Sequence, residues 1–249
     1  MGSLNTDVFI CFDCETTGLT PETDRIIELA AVRFTFSEIL GTFETLIDPE
    51  ILISPESMAI HHITDAMVQG KPKIQEVLPQ FLEFIDKGMI VGHGINNDIA
   101  FITAACKQHA IACHLHTRPF IDTLRLARLY GESPTNSLER LRQHFNVTDE
   151  GAHRAMSDVT VNIEVFKHLT QSFKTTEAIL ERLKRPILLK AMPLGKHKGR
   201  SFADIPIQYL QWAVHQNFDQ DLLFSLKTEL KQRKQGTRFN QASSPFAEL

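Results

Sequence analysis

The chain has 249 residues, of which 43% are hydrophobic and 22% charged, and 26 basic against 30 acidic side chains give a net charge of −4. These are the fractions of a globular protein with one ordinary domain and an appendage, or two modest domains. No apolar run approaches the roughly 20 residues that span a bilayer, no basic-then-apolar leader opens the chain, and four cysteines are too few for a secreted disulfide scaffold, so a cytoplasmic protein without a membrane partner is expected.

Runs rich in Ile, Val, Phe and Thr predict strands at about 8–14, 26–35 and 39–47. Short turns between them make an antiparallel meander, with Gly41 marking a bulge. Cys11 and Cys14 fall in the first strand, where residues three apart point to opposite faces, so they read as two half-buried thiols rather than a metal or redox pair. Cys106 and Cys113 offer no partner pair.

Ser54-Pro55-Glu56-Ser57 marks a helix start, and Val77, Leu78, Phe81, Leu82 and Ile85 space an amphipathic helix over 74–86. A short buried strand at 89–92 precedes a helix at 98–109. A last strand at 119–121 precedes helices near 123–130, 137–145 and 155–172. Antiparallel strands followed by strand–helix alternation imply a mixed α/β sheet with helices on both faces and a ligand site at the strand ends.

The most informative segment is Asp13-Cys14-Glu15-Thr16-Thr17-Gly18. Side-chain alternation puts Asp13 and Glu15 on one face, where two carboxylates repel unless a cation joins them. Oxygen ligands of this kind suit Mg²⁺ or Mn²⁺. Gly18 releases the chain into a turn and leaves room for a nucleotide to approach the backbone. Asp98 stands at a helix start, where it reads equally as a cap. His153 and Asp158, five apart, would diverge by about 140° on one helix, so they converge only if His153 lies in the preceding loop.

Together, Asp-x-Glu-Thr-Thr-Gly at 13–18, Asp98, and His-x-Ala-x-x-Asp at 153–158 resemble the motifs of the DEDDh, or DnaQ-like, exonucleases with the ribonuclease H-like fold. The resemblance spans about residues 7–172. His61-His62-Ile63-Thr64 and Asp122-Thr123-Leu124 are lesser matches. Gly94 and Asn97 depart from the family, which often has Asn and Phe at these places. The resemblance implies a 3′→5′ exonuclease that releases nucleoside 5′-monophosphates, with two Mg²⁺, replaceable by Mn²⁺, held by Asp13, Glu15, Asp98 and Asp158. In it His153 is the general base, Thr16 and Thr17 meet the terminal nucleotide through their backbone, Leu19 is a wedge against bases, and His61 lies near a phosphate. Leu19 and His61 equally fit ordinary loop packing. DNA in proofreading or repair is the expected substrate, with RNA trimming, or service as a DNA polymerase subunit, as alternatives. An aspartyl phosphotransferase would also place acids at a strand end, but it leaves His153 and Asp158 unexplained.

Residues 1–175 carry 14 basic and 23 acidic side chains, whereas 176–249 carry 12 and 7. The expected organisation is an exonuclease domain over 5–175, a linker helix at 176–190, a small, mainly helical basic module over 191–233 and a tail over 234–249. The module resembles the one that follows the nuclease domain in some exodeoxyribonuclease X-like proteins. Helices are predicted at about 206–216 and 219–233, with Tyr209, Leu210, Ala213 and Val214 as the inner stripe and Trp212 read as small-core packing before a base-stacking platform. Lys196, Lys198 and Arg200 form a cationic loop of candidate phosphate contacts, with a folding or partner-docking accessory as the alternative.

Overall fold

The computed structural model describes residues 3–130, 136–148 and 154–242, with side chains as far as residue 235. The chain divides into two compact units, Met1–Leu126 with Ser137–Leu183, and Ala127–Asn136 with Lys184–Leu249.

The first unit opens with β1 (Phe9–Thr16), β2 (Ile26–Phe34) and β3 (Ile39–Leu46). Two short helices, α1 (Pro55–His61) and α2 (Asp65–Val68), lead to α3 (Ile74–Ile85), β4 (Met89–Gly92), α4 (Asn96–Gln108), β5 (Phe120–Asp122) and the start of α5 (Thr123–Tyr130). Then come α6 (Leu138–His144), α7 (Ala155–Leu169) and α8 (Thr176–Leu183). The sheet runs β3-β2-β1-β4-β5, antiparallel across the first three strands and parallel through β4 and β5. The predicted bulge is there: pairing slips between Arg33, opposite Gly41, and Phe34, opposite Ile39.

Alternation along β1 decides what each face does. Ile10 and Phe12 point into a core with Val77, Leu78 and Phe81 of α3 and Ile99 and Ile102 of α4. Phe9 points the other way, onto Phe166 of α7 at 5.1 Å between ring centroids. Cys11 joins it on that face, its thiol set against the Val159 carbonyl and the Asn162 amide. Cys14 is on the opposite face, so the four-residue cysteine spacing is no pair. Cys106 and Cys113 are neighbours, both free; burial pushes Cys106 up to about 12, which leaves it an unreactive thiol.

The second unit takes in residues 127–136 as well as the C-terminal region, because Arg128 donates to both Asp219 and Asp221, and Asp221 has no exposed side-chain surface. Its helices are α9 (Ile207–Ala213) and α10 (Gln220–Ala242). Met192, Phe202, Ile205, Leu210, Ala213, Leu222 and Leu226 make its core. Trp212 stands outside that core and is 52% exposed, against the expectation of small-core packing, since it follows the buried Leu210 by two positions and faces away. Residues 176–183, expected as part of a linker, group with the first unit: the Thr176 hydroxyl donates to Asp7 at 2.6 Å, and Ile179 and Leu183 are buried. Helix α10 also runs past residue 233, where a tail was expected. No helix among the described residues is long and apolar enough to cross a membrane.

Candidate active site

Asp13 and Glu15 project from β1 on the face that α7 covers, and Asp158 stands in the first turn of that helix. Their carboxylates converge: one oxygen from each lies within 4.8 Å of the other two. Helix α7 is held in register by three layers of contact. Phe166 packs on Phe9 and Phe36, Asn162 donates to the Cys11 sulfur at 3.3 Å, and Glu28 grips the helix entrance. Glu28, opposite Glu15 in the sheet, accepts from the Arg154 guanidinium and from the Ala155 N–H at 3.0 Å. It thereby satisfies an orphan amide of the first turn and places a negative charge where the helix dipole favours one.

The sequence reading missed Glu28. The signal was present as one acid inside Ile26-Ile27-Glu28-Leu29-Ala30-Ala31-Val32, a run that otherwise reads as a buried strand. A fully buried acid implies a partner.

Asp98 sits at the third position of α4 and is not part of the three-oxygen group. Its Oδ1 accepts from the Cys14 N–H at 3.0 Å and the Cys14 thiol at 3.1 Å. The β1–β4 pairing stops at Cys11, so the Cys14 N–H has no partner on β4 and Asp98 supplies one. Its charge also acts on Asp13.

Electrostatics single out the same groups. Burial, then Asp98, Glu15 and Asp158, hold the Asp13 carboxyl well above the usual range. Burial and Asp158 push Glu15 up to about 8. Burial raises Asp98 to about 6 against the opposing hydrogen bonds from Cys14. Half-buried carboxylates massed this closely favour a bound cation, and an all-oxygen set suits a hard divalent ion.

The lesser motifs prove to be supports. Asp122 Oδ1 accepts from the N–H groups of Gly94 and Leu124, both at 2.9 Å. Thr123 bonds His93 and donates to Asn162 at 2.7 Å, tying the ends of β4 and β5 to α7. Gly94 has φ of +68°, a conformation that Asn also tolerates, so this departure from the family keeps the backbone shape. Asn97, the other departure, is exposed.

In the turn after β1, Leu19 is 86% exposed. The Thr16 hydroxyl donates to the Gly18 carbonyl at 2.6 Å. Thr17 spends its backbone inside the protein, its N–H on the Arg25 carbonyl and its carbonyl on the Ser57 hydroxyl. A Cβ on Gly18 would lie 2.5 Å from the Asp24 carboxylate, so the missing side chain leaves room for Asp24. His61 is buried instead of standing open to a phosphate. Its Nδ1 accepts from the Ile63 N–H, Nε2 has no hydrogen-bond partner among the described residues, and burial lowers its pKa. His153 lies outside the described residues.

Comparison with known proteins gives the geometry a context. A family model described as an exonuclease matches residues 10–166, and a second, "Putative quorum-sensing-regulated virulence factor", matches 181–232. The DNA polymerase III subunit epsilon of Aquifex aeolicus is 37% identical over 159 residues, 64% of this chain and 78% of that protein. A PolC-type DNA polymerase III of Caldanaerobacter subterraneus is 38% identical over 64% of this chain, which spans only 11% of that polymerase. Among solved structures, exonuclease X in complex with 5′ overhanging duplex DNA is 26% identical, with a TM-score of 0.52 over 70% of this chain and 98% of that one. E. coli exonuclease I in complex with a dA16 oligonucleotide shares the fold, at 20% identity and a TM-score of 0.62 over 72% of this chain and 43% of that one.

Proposed function

The chain belongs to the exonuclease family whose model spans residues 10–166, and is thus a nuclease of DEDDh type; from that premise we propose that it removes nucleotides from DNA 3′ ends as nucleoside 5′-monophosphates. The observation that carries the proposal is the convergence of Asp13, Glu15 and Asp158 within 4.8 Å. These three would hold divalent metal, Mg²⁺ first and Mn²⁺ as a substitute, two ions to a site as the family motifs imply, with Asp98 as the fourth acid. When bound, the metal neutralises charge on the phosphate and eases deprotonation of water.

The chain's own groups do the rest. His153 takes the proton of the attacking water, a task suited to an imidazole that is neutral above about pH 6.5. Glu28 and Arg154 fix the start of the helix that bears Asp158. Leu19, exposed in the turn after β1, and the backbone of Thr16 meet the terminal nucleotide.

The test is digestion of a 5′-labelled oligonucleotide in Mg²⁺. A ladder shortening from the 3′ end is expected, Asp13→Asn and Asp158→Asn should abolish it, and His153→Ala should slow it by roughly 10²–10⁴-fold. Undiminished digestion by either acid variant, or label released first from the 5′ end, overturns the reading. A panel of matched, mismatched, single-stranded and ribonucleotide 3′ ends separates DNA proofreading or repair from RNA trimming. The epsilon and PolC relatives favour a second reading, a polymerase-associated proofreading subunit, which co-elution with a replicative polymerase would support.

A further inference from the structure

The second unit carries a surface that the nuclease site does not use. Residues 190–200 contain Lys190, Lys196, Lys198 and Arg200 and no acid. Lys196, Lys198 and Arg200 are exposed, and none pairs with a carboxylate among the described residues. The loop is held in shape without neutralising them: Arg200 donates to the Asp204 backbone carbonyl at 2.9 Å, and His197 is buried edge-on against Tyr209 at 4.5 Å. Lys196 Nζ stands 5.0 Å from the centre of the Tyr209 ring, and that ring lies 5.2 Å from Trp212. Cation, tyrosine and tryptophan therefore form one continuous strip on the unit's surface.

A half-exposed tryptophan outside the core forgoes burial, which is a recurrent mark of a binding surface. Unpaired cations beside an open aromatic face are the combination that holds single strands without reading sequence, because every base has a π-face and every linkage a phosphate. We propose that this strip binds single-stranded nucleic acid, with a base stacked on Trp212 and phosphates on Lys196, Lys198 and Arg200. The inference rests on the nuclease reading and deepens it: a tethered second hold raises the effective concentration of substrate strand.

Trp212 is the sole tryptophan, so its fluorescence reports this surface alone. The full-length chain in EDTA, where metal-dependent digestion is off, is titrated with oligothymidylate and oligouridylate. Saturable quenching of Trp212 emission is expected. Trp212→Ala should weaken binding roughly tenfold and Trp212→Phe less. Replacing Lys196, Lys198 and Arg200 together by Gln should reduce the slope of log affinity against log salt by about 2. Emission unchanged at saturating oligonucleotide, or affinity unchanged in Trp212→Ala, overturns the proposal. Quenching by polyglutamate as strong as by oligothymidylate also overturns it, in favour of an acidic protein partner. Digestion in Mg²⁺ with silent Trp212 refutes the strip alone, whereas quenching with no digestion refutes the nuclease reading and leaves the strip standing.

Discussion

Asp13, Glu15 and Asp98 all keep their protons to higher pH than free carboxylic acids, with burial the largest cause in each. The consequence for stability has a definite sign. A carboxyl whose pKa is raised by folding penalises the native state once pH passes the unfolded value, and the penalty grows until pH passes the folded value. For Glu15 that window runs from about 4.5 to about 8. The metal-free protein should therefore lose melting temperature as pH rises through this range, and added Mn²⁺ should restore more at pH 8 than at pH 5. Asp13→Asn should raise the metal-free melting temperature at pH 8 and shrink the metal-induced shift. A metal shift that is equal at both pH values, or larger at the lower, would sink the account. Asp13 and Glu15 were legible as a pair in the sequence because alternation on a strand is a local rule. Glu28 was not, because its role depends on Arg154 and Ala155, more than 120 positions away.

Helix α7 is the element on which the site turns, since it carries Asp158 to the two acids of β1. Its entrance is held by Glu28, and removing either side of that contact has unequal results. Among the described residues, Arg154→Ala leaves a buried carboxylate, 1% exposed, with only the Ala155 amide, whereas Glu28→Gln removes the buried charge itself. Urea denaturation should show Arg154→Ala as the more damaging change, by about 2–4 kcal/mol against about 1–2 kcal/mol for Glu28→Gln. The reverse order would mean that the ion pair does not anchor the helix. Most helices and all five strands of the first unit lie where the sequence pattern placed them, because the helices repeat apolar residues at 3.6 and the strands are short runs rich in Ile, Val and Phe. The short α2 carries no such repeat within its four residues and went unforeseen.

At the scale of the whole molecule, the second unit depends on a charge arrangement that no local pattern announces. Arg128 meets Asp219 and Asp221 from more than 90 residues away. Arg128→Ala should strip the buried Asp221 carboxylate of this guanidinium while the Ile187 N–H still donates to it, at a cost of about 3 kcal/mol. Limited proteolysis read by mass spectrometry should then find new cleavages between 184 and 235, with residues 9–126 still protected; unchanged protection throughout would show that the pairing is dispensable. The helix expected from residue 176 is present as Thr176–Leu183, but its hydrogen bond from Thr176 to Asp7 groups it with the first unit, for a related reason: composition changes there while the partner is distant. By itself the sequence determined the alternation of strands and helices and the shared face of Asp13 and Glu15, which follow from short-range periodicity, and the nuclease motifs, which are contiguous residue patterns. Only the tertiary structure decided that Asp158 meets that pair, that Asp98 binds Cys14, that Glu28 holds the helix entrance and that Trp212 stays in the open. Each of these depends on which distant segment fills the space beside a residue, and chain-local rules carry no record of that.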